Sequence, residues 1–271
     1  MPEARTNTTA KGTVLVTGAS SGIGESLAGC FAAAGHDLVL VARSAGKLKS
    51  LAAALSAQHK VNVRVEPVDL SRPGAADTLA AKLKRARVPV DVLVNNAGVL
   101  AQGPFVGMSA ASHQQMIDLN VGGLTAMLSA FVPAMVERGS GRVLNVASIA
   151  SFQPVPSLST YAATKAFVLS LTESLSEELR GSGVSVTALC PGITATRMLD
   201  TAIAANAQVS RIPGVLIGDV DDVARQGFEA CMQGDVICVA GVLNQAAVLA
   251  SRSTPKWLLR RVSGLLGRQL Q

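Results

Sequence analysis

Short, uninterrupted apolar runs recur along the chain at 13–17, 37–42, 61–66, 91–95, 142–147, 184–190 and 236–240, and longer stretches of helical periodicity fill the gaps. Each run is too short for a helix and apolar at successive positions, as a strand covered on both faces must be. Strictly alternating strand and helix predicts an α/β fold: one doubly wound domain with a mostly parallel seven-stranded sheet and helices on both faces. The predicted domain spans residues 11–241. A polar, flexible segment precedes it at 1–10, and a basic amphipathic extension follows at 242–271. In such a sheet, ligands bind in the crevice at the carboxyl ends of the strands. A length of 271 residues suits a single domain of this kind.

Two clusters at strand ends carry chemistry. The first follows Thr13-Val14-Leu15-Val16 and reads Thr17-Gly18-Ala19-Ser20-Ser21-Gly22-Ile23-Gly24, with a helical pattern beginning at Glu25. Strand, glycine-rich turn and helix make the context of a dinucleotide site of Rossmann type. Gly18 permits the tight turn, Gly22 lets the backbone approach a pyrophosphate, and Gly24 lets the helix pack closely on the strand. Ser20, Ser21 and Ile23 belong to the same cradle, where free N–H groups at a helix start meet phosphate oxygens. The second cluster is Tyr161 and Lys165, four apart and therefore on one helix face. A phenol normally keeps its proton to a pKa of about 10. A neighbouring ammonium favours the phenolate, so Tyr161 is predicted to exchange a proton near neutral pH, as an acid/base catalyst for a carbonyl/alcohol pair must.

Together these motifs resemble the short-chain dehydrogenase/reductase family, from about Gly12 to Gly241. The TGxxxGxG spacing is that family's own. Asn95-Asn96-Ala97-Gly98 follows the strand at Val92, Asn120 sits in Asp118-Leu119-Asn120-Val121, Ser148 closes the strand at Val143, and Pro191-Gly192 follows the strand at Val184. The resemblance implies a catalytic tetrad of Asn120, Ser148, Tyr161 and Lys165. Tyr161 would donate its proton to the carbonyl oxygen and Ser148 would hydrogen-bond that oxygen. Lys165 would lower the Tyr161 pKa and hold the ribose hydroxyls, and Asn120 would hold a water linking Lys165 to solvent. It also implies cofactor contacts at Asn96, Ala97, Gly98, Tyr161, Lys165, Pro191, Gly192, Ile193 and Thr196. A homodimer or homotetramer with the Tyr161 helix at an interface follows in the same way.

The second strand ends at Val41-Ala42-Arg43-Ser44. An acidic residue near this point takes the ribose hydroxyls of NAD. Here Ala42 stands in its place and Arg43 follows, able to bind a 2′-phosphate through two parallel hydrogen bonds. NADP(H) is therefore the expected cofactor, with Ser44 as a helper. Many NADP-preferring relatives carry a basic residue where Ser21 stands, so the preference need not be strict. Asp69-Leu70 resembles the pair that flanks the adenine; Asp69 reads equally as the N-terminal cap of the next helix. Expected substrate walls are Val99 to Phe105, Ile149 to Val155 and Ile193 to Ile217, mostly apolar, with Phe152, Met198, Leu199 and Leu216. Arg197 and Arg211 are the charged exceptions. A small hydrophobic aldehyde or ketone is the implied substrate.

Composition narrows the setting. The sequence carries no run of 18 or more apolar residues and no signal-like start, which argues against a spanning helix. Cys30, Cys190, Cys231 and Cys238 lack metal spacing and lie in apolar segments, as buried reduced thiols do; His36, His59 and His113 stand apart, so no metal is expected. A reducing cytoplasm fits. The net charge of +6 is concentrated after Asp235, in Arg252, Lys256, Arg260, Arg261 and Arg268. Aromatic residues make up only 3% of the chain and no nucleic-acid motif accompanies the charge, so no nucleic-acid partner is expected. Leu258, Leu259, Val262, Leu265 and Leu266 recur at helical spacing beside Trp257. They suit either a helix packed on its own fold or peripheral contact with an anionic membrane. A non-enzymatic NADPH-binding regulator and a membrane-peripheral reductase of lipid carbonyls are the alternatives to a cytoplasmic reductase.

Overall fold

Strand register places the crevice. The computed structural model describes residues 11–196, 217–255 and 260–261. Among these, seven strands run parallel in one sheet: β1 (Thr13–Thr17), β2 (Asp37–Ala42), β3 (Val63–Pro67), β4 (Val92–Asn95), β5 (Gly141–Val146), β6 (Val184–Cys190) and β7 (Ile237–Val239). Their order is β3-β2-β1-β4-β5-β6-β7, so the direction of winding reverses between β1 and β4. That reversal is the topological switch point at which such sheets bind ligands.

Alternate residues of each strand feed two cores. Leu15, Val39, Val41, Leu93 and Val143 face one side. There they meet α3 (Ala75–Arg85), α5 (Leu124–Glu137) and α6 (Ser159–Glu178) through Leu79, Met127, Phe131 and Val168. Val14, Val16, Leu38, Leu40, Val94 and Leu144 face the other side. Their partners are α1 (Gly22–Ala33), α2 (Ala45–His59) and α7 (Val220–Gln233), through Leu27, Phe31, Leu48 and Ala224. Burial on both faces is why the strands read as continuous apolar runs. Each fully buried leucine or valine contributes about 1.5–3 kcal/mol of transfer free energy.

A continuous helix runs from α4 (Ala110–Ile117) through a π-helical turn at Asp118–Gly123 into α5. By length and composition it is apolar enough to cross a bilayer. Its apolar face, with Met127, Leu128, Phe131 and Met135, instead packs against the sheet. The π turn carries one residue too many for the α repeat and rotates Asn120 into the interior.

Two boundaries differ from the sequence reading. β3 begins at Val63 rather than 61, because Lys60 ends α2 in the left-handed region and Asn62 bonds to the Asp37 carboxylate through its backbone N–H at 2.8 Å and its amide at 3.1 Å. Asp69 does not cap α3, which starts after Gly74; its carboxylate accepts instead from the backbone N–H and hydroxyl of Ser71 at 3.1 and 2.7 Å. The four cysteines are free thiols, Cys190 and Cys231 buried and Cys30 and Cys238 half-buried. After β7 comes α8 (Val242–Ser253). Trp257, Leu258, Leu259, Val262, Leu265 and Leu266 of the tail lie outside the described residues, as do Arg197, Met198, Leu199, Arg211 and Leu216 of the expected substrate wall.

One hydroxyl ties the two sides of the switch point. Thr17 Oγ1, at the end of β1, accepts from the backbone N–H groups of Asn96 and Ala97 at 2.9 and 3.0 Å and donates to the Val94 carbonyl at 3.1 Å. Thr17→Val keeps the shape and leaves two N–H groups without acceptors. It is expected to lower unfolding free energy by about 2 kcal/mol or more in urea titration; a change under about 0.5 kcal/mol would show that the latch carries no stability.

Candidate active site

Above the carboxyl ends of β1, β2, β4, β5 and β6 opens a cavity of about 890 Å³. Its phosphate end is the loop after β1, with Gly18, Ser20, Ser21, Gly22 and Ile23 on the wall. Ser21 occupies the N-cap position of α1 but makes no side-chain cap bond, so its hydroxyl leaves the first-turn N–H groups to a ligand. Gly24 is not on the wall. A Cβ there would stand 2.5 Å from the Gly18 carbonyl oxygen and collide with the Asn96 amide, so only glycine lets α1 start this close to the loop. The Asn96 amide donates to the Thr17 and Gly18 carbonyls at 3.0 and 3.2 Å. Asn96 thus reaches the cavity wall while its amide holds the loop in shape. Shape, an uncapped helix start and a cavity of dinucleotide scale all fit a nicotinamide dinucleotide.

At the far end of the groove the wall is Ala42, Arg43, Ser44, Lys47, Asp69 and Leu70. Lys47, on the first turn of α2, was missed by the sequence reading; its distance from the strand end hid it. The Asp69 carboxyl is held below the usual carboxylate range, first by its hydrogen bonds to Ser71 and then by the Arg43 and Arg72 guanidinium groups.

At the opposite end stand Ser148, Tyr161 and Lys165, with Ala97, Gly98, Pro191, Gly192, Ile193 and Thr196 between the two ends. Ser148 sits in extended backbone at the start of a 3-10 turn (Ile149–Phe152), and its Oγ accepts from the Ala150 N–H at 3.1 Å. Lys165 is only 6% exposed. Its Nζ donates to the Val146 carbonyl at the end of β5 at 2.7 Å and lies 5.8 Å from the centre of the Tyr161 ring. Burial pushes this ammonium down to about 8, with the nearby Cys190 thiol opposing. Burial also pushes the Tyr161 phenol up from its ordinary value, and only the hydrogen bond to Ser148 pulls it down. The expected lowering by Lys165 is therefore corrected: desolvation of the phenol prevails, and the ammonium that would oppose it is itself desolvated and bonded to a backbone carbonyl.

Asn120 does not line the cavity. Its Oδ1 accepts from the Val99 N–H at 2.9 Å, and its Nδ2 donates to the Val99 carbonyl at 2.9 Å and to Thr164 Oγ1 at 3.1 Å. The side chain fastens the loop after β4 to α6 through these bonds. Thr164, one residue before Lys165, had no motif to mark it. Of the expected walls, Val99, Leu100, Ile149 and Val155 line the cavity, while Phe105 stacks on His113 at 4.4 Å and Phe152 packs on the core. Gln102 and Gln153, within the same expected stretches, line it as well.

The sheet order, the TGxxxGxG loop and the Ser148, Tyr161 and Lys165 group define a dinucleotide-binding oxidoreductase of the doubly wound class. The chain matches the short chain dehydrogenase family over residues 12–207, and it belongs to that family. It is 35% identical over 191 residues to an uncharacterised oxidoreductase of Staphylococcus aureus, covering 70% of this chain and 79% of that one. Among solved structures it is similar to a short-chain dehydrogenase from Sphingobium yanoikuyae in complex with NADPH, with 35% identity, a TM-score of 0.79 and coverage of 89% and 93%. It is also similar to a short-chain dehydrogenase/reductase from Burkholderia phymatum in complex with NAD, at 28% identity and a TM-score of 0.81, covering 88% and 92%.

The buried lysine has a measurable signature. A lysine with a folded pKa of about 8 against an ordinary 10.5 binds fewer protons folded than unfolded across that interval. Wild-type stability, measured relative to Lys165→Met, is therefore expected to rise as pH climbs from about 8 to about 10.5. A difference between the two that is flat with pH would mean that the ammonium is not desolvated.

Proposed function

We propose that the protein is an NADP(H)-dependent reductase of hydrophobic aldehydes and ketones. The observation that carries this reading is one cavity lined by the glycine loop, by Arg43 and by Ser148, Tyr161 and Lys165. A nicotinamide bound there supplies the hydride for the carbonyl carbon. Tyr161 Oη donates the proton to the carbonyl oxygen, and its raised pKa keeps that proton in place until charge develops. Ser148 Oγ, oriented by the bond it accepts from Ala150, donates a hydrogen bond to the same oxygen. Lys165, charged below about pH 8, stabilises the phenolate left on Tyr161 and holds the ribose hydroxyls. Asn120 acts as a positioning residue, tying the loop after β4 to the helix of Tyr161 through Thr164.

The cofactor choice rests on Arg43, Ser44 and Lys47 beside Ala42, an end of the groove with two cations and no carboxylate at the carboxyl end of β2 to repel a 2′-phosphate. Similar solved structures hold NADPH in one case and NAD in another, so the reading rests on this local chemistry. Leu100, Val155, Leu158 and Ile193 supply the apolar wall for the substrate. Four free thiols support a reducing cytoplasmic setting. Assembly into a homo-oligomer through α6 belongs to the same reading, on the family's pattern.

Consumption of NADPH and NADH against hydrophobic aldehydes and ketones tests the reading. Tyr161→Phe is expected to lower kcat by about 10²–10⁴ while NADPH still binds. Arg43→Ala is expected to lower kcat/KM for NADPH by about 10- to 100-fold and leave NADH little changed. A wild type that prefers NADH, or a Tyr161→Phe variant with full turnover, would overturn it.

A further inference from the structure

Around Tyr161 the wall is an apolar cluster in which Met116, Ala150 and Ala162 pack with Val99, Leu100, Met108, Val155 and Leu158. Two loops build it, 99–104 after β4 and 153–158 before α6. The Gly103 N–H donates to the Ser157 carbonyl at 2.9 Å and joins them. Ser157 holds φ at +65°, a left-handed conformation uncommon for serine, directly before the helix that carries Tyr161. A costly backbone conformation kept at the cavity edge and tied across to the facing loop marks a wall with a defined shape.

At the edge of this wall each loop places one carboxamide on the cavity lining, the half-buried Gln102 from the first and the exposed Gln153 from the second. Among the described residues neither amide has a hydrogen-bond partner on the protein. Asn96 and Asn120 differ in this respect, since their amides are engaged at both loop anchors. A carboxamide offers a donor and an acceptor and carries no charge. It therefore recognises a neutral hydroxyl or carbonyl oxygen better than a carboxylate. In a mostly apolar pocket, a few placed polar groups of this kind set orientation and specificity.

Building on the reductase reading, we infer that Gln102 and Gln153 read a second oxygen on the substrate. The favoured substrates are then apolar-bodied ketones or aldehydes that carry a neighbouring hydroxyl or second carbonyl. The two glutamines are specificity residues, not part of the proton-transfer machinery. A substrate lacking the second oxygen leaves their amides facing an apolar surface, and it is the loss of that pairing that discriminates against it.

Matched probes test this: 1-phenylpropane-1,2-dione against propiophenone, with NADPH, for wild type, Gln102→Leu and Gln153→Leu. The readout is the ratio of kcat/KM between diketone and monoketone, compared between variant and wild type, which cancels the diketone's greater intrinsic reactivity. Each leucine variant is expected to lower that ratio roughly three- to tenfold, as loss of one neutral hydrogen bond does, with propiophenone turnover unchanged or raised. Gln102→Asn and Gln153→Asn, which withdraw the amide without removing it, are expected to shift the ratio in the same direction. NADPH affinity, followed by the fluorescence of the bound nucleotide, is expected to stay constant in all variants. An unchanged ratio, or equal loss with both ketones, would overturn the assignment of the glutamines and leave the reductase reading standing. Tight NADPH binding with no turnover of either ketone by any form would overturn both.

Discussion

The reversal of strand order between β1 and β4 is the constraint on which the site depends. The chain leaves β1 for α1 on one face of the sheet and leaves β4 for α4 and α5 on the other. Right-handed crossovers then force the two loops apart and open a crevice at the strand ends. Thr17 and Asn96 hold the floor of that crevice together through hydrogen bonds between their side chains and the backbone. The β1 glycine loop lies on one side, and β5 and α6 present Ser148, Tyr161 and Lys165 on the other. Cofactor and chemistry meet there because of the sheet order, even though the residues are more than a hundred positions apart in the chain.

Placing a lysine in this floor costs stability and supplies chemistry. The Lys165 ammonium is surrounded by protein, bonded to a single backbone carbonyl and driven toward neutrality. Tyr161, one turn earlier, is driven by the same burial to keep its proton. The pair is therefore held in the protonated-acid state that the proposed carbonyl reduction requires. The lysine's charge is most valuable after the proton has left the phenol, when an anion appears beside it. Strongly shifted groups sharing a cleft are a common mark of a working site.

Much of this was legible in the sequence. Strands buried on both faces announce themselves as unbroken apolar runs, so the strand positions agree with the structure to within a residue or two. Glycine spacing and the Tyr161–Lys165 interval report local geometry, and the residues they named, apart from Gly24 and Asn120, line one cavity. What stayed hidden depends on long-range placement. Asp69 turned out to fold a local turn with Ser71 instead of capping α3, because Gly74 intervenes. Asn120 carries no sign that a π turn will direct it toward Val99 and Thr164. Phe152 reads as a pocket residue by position yet turns into the core, and Lys47 reaches the cavity from a helix turn that no spacing rule marks. The Tyr161 pKa was misjudged in direction because sequence shows the charged neighbour and conceals the desolvation.

The central claim is that this crevice brings hydride and proton to one carbonyl, with Tyr161 as the acid. NADPH carrying deuterium at both C4 positions, incubated with a ketone that the protein consumes, tests it by mass and NMR analysis of the alcohol. Deuterium on the carbinol carbon, lost together with turnover in Tyr161→Phe, is the expected result. An alcohol without deuterium, or undiminished labelled product from Tyr161→Phe, would contradict it.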